Sequence, residues 1–61
     1  MIELTRLNGE VFVLNAELIE TIVASPDTVV TLVNGHRYVV KESVDAVTEK
    51  VIQYKRRTKA F

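Results

Sequence analysis

The 61-residue sequence contains no cysteine and no tryptophan, and it has only one histidine, one proline and two glycines. The missing cysteines exclude disulfides, and one histidine without a cysteine cannot build the usual structural metal site. A chain this short buries only about 60% of its unfolded surface on folding. Small domains usually compensate with disulfides, metals or self-association. With the first two excluded, we expect this chain to self-associate.

Long apolar runs are also missing. No run approaches the roughly 18 residues that a membrane-spanning helix needs. The first ten residues, MIELTRLNGE, carry acids where a signal peptide has a basic start and an apolar middle. We therefore expect a soluble chain with no direct membrane insertion, which could still work at a membrane by binding a protein embedded there.

Acids and bases balance at eight each, so no net charge draws the chain to nucleic acid or anionic lipid. The distribution is uneven, because residues 1–49 carry all eight acids and only three bases, and residues 50–61 carry five bases and no acid. Those five bases are Lys50, Lys55, Arg56, Arg57 and Lys59. They fit two roles: favourable charge at the negative end of a helix dipole, or a contact surface for an acidic partner.

Two Asn-Gly pairs, Asn8-Gly9 and Asn34-Gly35, each separate two runs of strand-forming residues. Because Asn and Gly both tolerate positive φ, each pair predicts a two-residue type I′ hairpin turn. A turn of that length pairs Leu4 with Val13, for example. In the second hairpin it distributes apolar residues over both faces of the sheet, so both faces are expected to need cover.

Strand patterns extend over residues 2–7, 11–14, 19–25, 28–33 and 37–41. Asn15 is placed to cap a single helical turn after the second strand, and Pro26 favours a turn after the third. From residue 44 the apolar period changes to about 3.6 residues, in Val44, Val47, Val51 and Tyr54. With Ser43 as its N-cap, this pattern predicts a helix over residues 44–57.

The predicted fold is α+β, a small antiparallel five-stranded β-sheet built from the two Asn-Gly hairpins and followed by one C-terminal helix. We expect a single domain over residues 1–57 and a short tail over residues 58–61. The helix can cover only one face of the sheet, which leaves the other for a second copy of the chain or for another partner.

Side chains suited to catalysis are scarce. His36 directly follows a turn glycine, where side chains normally meet water, and has no second histidine or cysteine to share a metal. Two acidic groups, Glu17 with Glu20 and Glu42 with Asp45 and Glu49, are predicted to be solvated charges. The glycines lie in separate hairpins and form no phosphate-binding loop. The sequence therefore predicts no catalytic residue, no metal, no cofactor and no enzyme.

An alternative is a small DNA-binding or regulatory module that uses the basic C-terminal helix, where the bases stand beside Tyr54. The strand pattern with a closing helix is also faintly similar to LytTR-type DNA-binding domains. The balanced net charge, the acids earlier in the helix and the lack of a base-stacking aromatic pair on any strand make nucleic acid the less favoured partner.

Five short pieces occur in a fixed order: Leu7-Asn8-Gly9, Asn15 with Leu18-Ile19-Glu20, Pro26-Asp27-Thr28, Asn34-Gly35, and Val40 with Glu42-Ser43. In this order and spacing the chain resembles the FlbD/SwrD family of small bacterial flagellar proteins. The resemblance implies a non-enzymatic motility factor that, in swarming members, supports the power of the flagellar motor near its stator. It carries over no catalytic or binding residue.

Together, the resemblance and the expected self-association predict the partners. They are a second or third copy of the chain, in a dimer or trimer, and the flagellar stator or other motor proteins on the cytoplasmic side of the motor.

The family often has lysine at the position of His36, so we expect His36→Lys to change neither folding nor motility. Exposed substitutions away from special features usually shift stability by no more than about 0.5 kcal/mol. Urea unfolding and a swimming assay of the complemented host measure the two effects. A stable His36→Lys protein with a strong motility defect would show that the imidazole has a function.

Overall fold

A computed structural model of the protein describes the backbone of residues 1–59 and the side chains of residues 1–56. Along the chain lie β1 (Ile2–Thr5), β2 (Val11–Leu14), a 3₁₀ turn (Ala16–Leu18), β3 (Ile19–Ala24), β4 (Thr28–Leu32), β5 (Arg37–Val40) and α1 (Val44–Lys59). The predicted class, α+β with five antiparallel strands and a C-terminal helix, is confirmed. The strands divide into a two-stranded sheet, β1-β2, and a three-stranded sheet, β3-β4-β5.

The first hairpin turns through three residues, not the expected two. Gly9 N–H donates to the Arg6 carbonyl at 2.9 Å, and Arg6 N–H donates to the Glu10 carbonyl at 2.8 Å. Gly9 alone takes the left-handed conformation, with φ +92°. The Asn8 side chain closes the loop, because its Oδ1 accepts a hydrogen bond from Glu10 N–H at 2.9 Å. A three-residue loop with glycine in the left-handed position is the next commonest hairpin connection after the type I′ turn.

The second hairpin repeats this geometry. Gly35 N–H donates to the Leu32 carbonyl at 2.9 Å, and Leu32 N–H donates to the His36 carbonyl at 2.8 Å. Gly35 has φ +91°, and Asn34 Oδ1 accepts from His36 N–H at 3.0 Å. In both hairpins the asparagine therefore acts through its side chain, as an Asx turn, and only the glycine needs positive φ.

The extra loop residue moves both strand registers by one from the expected pairing. Leu4 pairs with Phe12 and not with the expected Val13. Tyr38 pairs with Val30, where a two-residue turn would pair it with Thr31. A one-residue slip exchanges the two faces of a strand. The expected assignment of residues to faces is therefore wrong, although both faces do carry apolar residues. The inner face carries the buried or half-buried residues Thr28, Val30, Leu32, Tyr38 and Val40.

The inner faces of the two sheets enclose one hydrophobic core, and α1 closes it by packing against β1 and β3. The core residues are Ile2, Leu4, Leu14, Ala16, Val30, Leu32, Val40 and Val47. From α1, Val47 is fully buried, with Val51 and Tyr54 packed beside it. The helix therefore presents the predicted apolar stripe to the core.

The remaining turn and cap residues lie at element boundaries. Asn15 Oδ1 accepts from Glu17 N–H at 3.0 Å at the start of the 3₁₀ turn. Pro26 lies between β3 and β4, after a cis peptide bond from Ser25. Ser43 Oγ accepts from Ala46 N–H at 3.1 Å, and α1 begins one residue later. The helix extends to Lys59, two residues past the predicted end, and the last two residues of the expected tail lie outside the described chain.

The two sheets meet at one corner, where the end of β1 lies beside the end of β5. Arg6 and Val40 form an isolated antiparallel bridge, and Lys41 N–H donates to the Thr5 carbonyl at 2.9 Å. Glu42 completes the contact: one carboxylate oxygen accepts from Thr5 N–H at 3.0 Å and the other from Thr5 Oγ1 at 2.9 Å. The interpretation of Glu42 as a solvated charge is therefore wrong, because its carboxylate joins the two sheets.

The protonation of Glu42 is coupled to this corner. Partial burial is the largest single effect and raises the pKa of the carboxyl. Hydrogen bonds from Thr5 and from Glu42's own N–H, with the positive charge of Lys50, together outweigh burial. The pKa of Glu42 therefore lies below its ordinary value of 4.5.

At Gly35 we expect a graded loss of stability that follows the tolerance of each side chain for positive φ. No atom lies within 4 Å of the Cβ position at this glycine, so the cost comes from the backbone and not from a clash. Gly35→Ala should cost about 1–2 kcal/mol. Gly35→Val should cost more and Gly35→Asn less, since asparagine tolerates the left-handed region. Urea unfolding measures the series, and equal losses for valine and asparagine would contradict the assigned turn.

At the corner, we expect Glu42→Ala to lower the free energy of unfolding by about 1–3 kcal/mol, because both hydrogen bonds to a charged acceptor are lost. The exposed Glu10 is the matched control. Its 3.0 Å ion pair with Arg6 lies at the surface, so Glu10→Ala should cost no more than about 1 kcal/mol.

The lowered pKa of Glu42 also makes the stability of the fold depend on pH. The stabilisation by ionised Glu42 is fully present above its unfolded-state pKa, near 4.5, and is lost as the pH falls through the lower folded-state pKa. Glu42→Gln should remove that part of the acid-induced loss of stability. Unfolding curves for both proteins from neutral to acidic pH test this, and an unchanged acid profile in Glu42→Gln would contradict it.

Candidate protein-interaction surface

The basic residues proposed as a partner surface lie on the second half of α1, and the three with described side chains, Lys50, Lys55 and Arg56, do not share one face. Successive helical residues are about 100° apart. The directions of Lys50 and Lys55 therefore differ by about 140°, and Arg56 is about 100° further on. Lys50 is half-buried, and Lys55 and Arg56 are exposed. The side chains of Arg57 and Lys59 lie outside the described residues. The three described cations thus surround the helix and do not form a continuous basic patch.

An open groove of about 270 Å³ runs between the start of β1 and α1. It is lined by Met1, Ile2, Glu3, Glu49, Lys50, Gln53 and Tyr54. On the helix side, Gln53 Nε2 donates to Glu49 Oε1 at 3.1 Å. The groove thus mixes apolar, acidic and basic groups, with no nucleophile paired to a base. This composition does not define a reaction or a ligand class.

Sequence reasoning did not identify a cluster of Arg6, Phe12 and Tyr38. The two ring centroids are 5.3 Å apart at a tilt of 32°. The Arg6 guanidinium lies 4.4 Å from the Phe12 centroid and 5.5 Å from the Tyr38 centroid. Both rings pack against the core, so the cation covers them from outside. A two-residue turn would pair Phe12 with Thr5, whereas the three-residue turn pairs it with the buried Leu4 and so places its ring on the inner face.

The outer face of the three-stranded sheet is the clearest unpartnered surface. Val29 pairs with Val23 on one side and with Val39 on the other, which makes a continuous row across all three strands. Val23 is 48% exposed and Val39 is 40% exposed. These three aliphatic side chains form one row on a solvated sheet face, and this row is the candidate contact surface.

The two-stranded sheet also exposes apolar side chains on its outer face, at Val11 and Val13. They pair with Thr5 and Glu3 respectively. Each valine therefore stands beside a polar neighbour, and together they do not make a continuous apolar row like the one on the three-stranded sheet.

His36 lies in the second hairpin as an exposed residue, and its backbone N–H closes the Asn34 turn. In the described part of the chain, no three His, Cys, Asp or Glu residues lie close enough to hold a metal ion. No described helix combines the length and the apolar content that crossing a membrane requires.

Comparison with protein families matches residues 1–59 to the FlbD model, described as flagellar and swarming motility proteins. Neither the curated proteins nor the solved structures give a match. The family match includes every strand and the whole of α1, and it confirms the resemblance carried by the Asn-Gly turns and the helix start. The chain therefore belongs to the FlbD family of flagellar and swarming motility proteins.

Proposed function

We propose that this protein is a non-enzymatic motility factor that acts by protein–protein contact on the cytoplasmic side of the flagellar motor. In this proposal it works as a homo-oligomer, and the stator or another motor protein is its further partner. Membership of the FlbD family supports the motility role. The observation that supports action by protein–protein contact is the uncovered row of Val23, Val29 and Val39 on the outer sheet face.

The structural roles of the polar side chains support a binding function more than a catalytic one. The groups best suited to chemistry have structural partners: the Glu42 carboxylate binds Thr5, and the Arg6 guanidinium covers Phe12 and Tyr38. His36 is exposed on a turn without an acid–base partner among the described side chains. Catalysis by side chains requires such a pair in a shared pocket, so a binding role fits these positions better.

The directions of the cations favour a protein partner over DNA. Binding to a duplex requires several bases that reach phosphates from one side of the protein. Lys50, Lys55 and Arg56 point in three directions around α1. The outer sheet face instead offers a compact apolar surface, which suits a protein.

Deletion of the gene in a motile host, scored separately for filament number and swimming torque, tests the motor role. We expect filaments in normal number with lowered torque. Complementation with the wild type and with His36→Lys should restore torque. Complementation with Val39→Asp should not, because a buried charge on the contact face opposes association.

Two results would contradict the proposal. Missing filaments in the deletion strain would indicate a role in assembly or gene regulation. Full torque with Val39→Asp, at a protein level equal to the wild type, would exclude the outer sheet face as the contact surface.

A further inference from the structure

The outer face of the three-stranded sheet has a second row next to the valines. Thr31 pairs with Thr21 on β3 and with Arg37 on β5. The register between β3 and β4 is irregular at Glu20, where two residues of β3 oppose one of β4. The additional residue, Glu20, has no partner on β4 and is exposed on the edge strand β3. The sheet thus has an acidic margin on β3 at Glu20, an apolar centre in the valine row and a basic margin on β5 at Arg37.

The two margin charges cannot neutralise each other within one chain. Two strand spacings separate β3 from β5, about 10 Å in all. Glu20 and Arg37 are both exposed, and within residues 1–56 neither forms an ion pair. A face with opposite charges on its two margins is complementary to itself once it is turned over.

We propose that a second copy of the chain stacks on this face, related by a twofold axis parallel to β4. The inference rests on the proposed function for its claim that the protein self-associates, and it adds the surface and the symmetry. Turning the sheet about this axis places β3 over β5 of the second copy. Val29 then meets Val29 of the second copy, and Val23 meets Val39. Each Glu20 comes close to Arg37 of the other chain.

The charges distinguish this axis from the other twofold arrangement of the same two faces. An axis perpendicular to the strands places β5 on β5 and reverses its direction. Arg37 would then lie over Lys41 of the second copy, and like charges across an interface are unfavourable. A twofold contact between identical faces closes at two chains, so the geometry selects a dimer from the expected dimer or trimer.

The size of the outer face limits the expected affinity of the dimer. A standard interface buries about 800 Å² on each partner, which is roughly a fifth of the 4251 Å² accessible surface of this chain. Three strands of about five residues make a face of only about 14 by 17 Å. We therefore expect a weak dimer, because the face is smaller than a standard interface. Its sheets should be aligned and about 10 Å apart.

Analytical ultracentrifugation of the full chain, from about 1 µM to 1 mM, tests for the dimer. Charge-reversal variants of Glu20 and Arg37 then test which residues form the contact. Glu20→Arg and Arg37→Glu should each weaken dimerisation by about tenfold or more, because each places like charges across the interface. The double variant exchanges the charges and should recover most of the lost affinity. Glu17→Arg is the matched control: it makes the same charge change at an exposed residue outside the face and should leave the dimer unchanged.

A monomeric wild type across the whole range would overturn the proposal. A dimer that neither single reversal weakens, or that the double variant fails to restore, would also overturn it, since the contact would then use another surface. Circular dichroism of each variant checks folding. If the wild type is monomeric but Val39→Asp still abolishes torque, the stacked dimer and the homo-oligomer are both wrong, and the outer face binds a different protein. That result keeps the motor contact of the proposed function.

Discussion

The fold depends on the corner where Glu42 binds Thr5. A two-stranded hairpin is at best marginally stable alone, and β1-β2 is held to the three-stranded sheet by their shared core. At the corner, the Arg6 and Val40 bridge and the adjacent hydrogen bonds join the two backbones. The Glu42 carboxylate doubles that contact by binding both the N–H and the hydroxyl of Thr5. Ser43 follows directly and caps α1, so the joint between the sheets also fixes where the closing helix begins.

The elements that cover the three-stranded sheet all lie on its inner side. The core lies between the inner faces of the two sheets, α1 closes it, and Arg6 covers the aromatic pair packed against it. None of these elements covers the outer face of the three-stranded sheet, where Val23 and Val39 stay exposed. The association proposed above would bury that row. The proposed motor contact and the proposed dimer follow from this asymmetry.

The local features of the fold were predictable from the sequence, because each depends on residues near one another in the chain. The helix follows from its period and from Ser43, and the hairpins follow from the Asn-Gly pairs. The register was not predictable from the pair alone, because Asn-Gly suits both two- and three-residue turns. In both hairpins the three-residue turn is closed by the asparagine Oδ1, which accepts a hydrogen bond from the backbone N–H two residues on, at Asn8 and at Asn34.

The role of Glu42 was not predictable, because its partner Thr5 lies 37 residues away. The sequence indicated that one sheet face would remain uncovered, but the valine row on that face required the correct register. The sequence predicted a contact surface from the bases in the second half of α1. In the helix, the described bases Lys50, Lys55 and Arg56 point in different directions.

Two-dimensional amide NMR of the ¹⁵N-labelled protein, recorded over a concentration series, tests whether the outer sheet face is the contact surface and the Glu42 corner is structural. We expect concentration-dependent shifts at Val23, Val29 and Val39, with the amides of Thr5 and Glu42 unchanged. Shifts confined to Val11 and Val13 of β2, or to the basic end of α1, would contradict it.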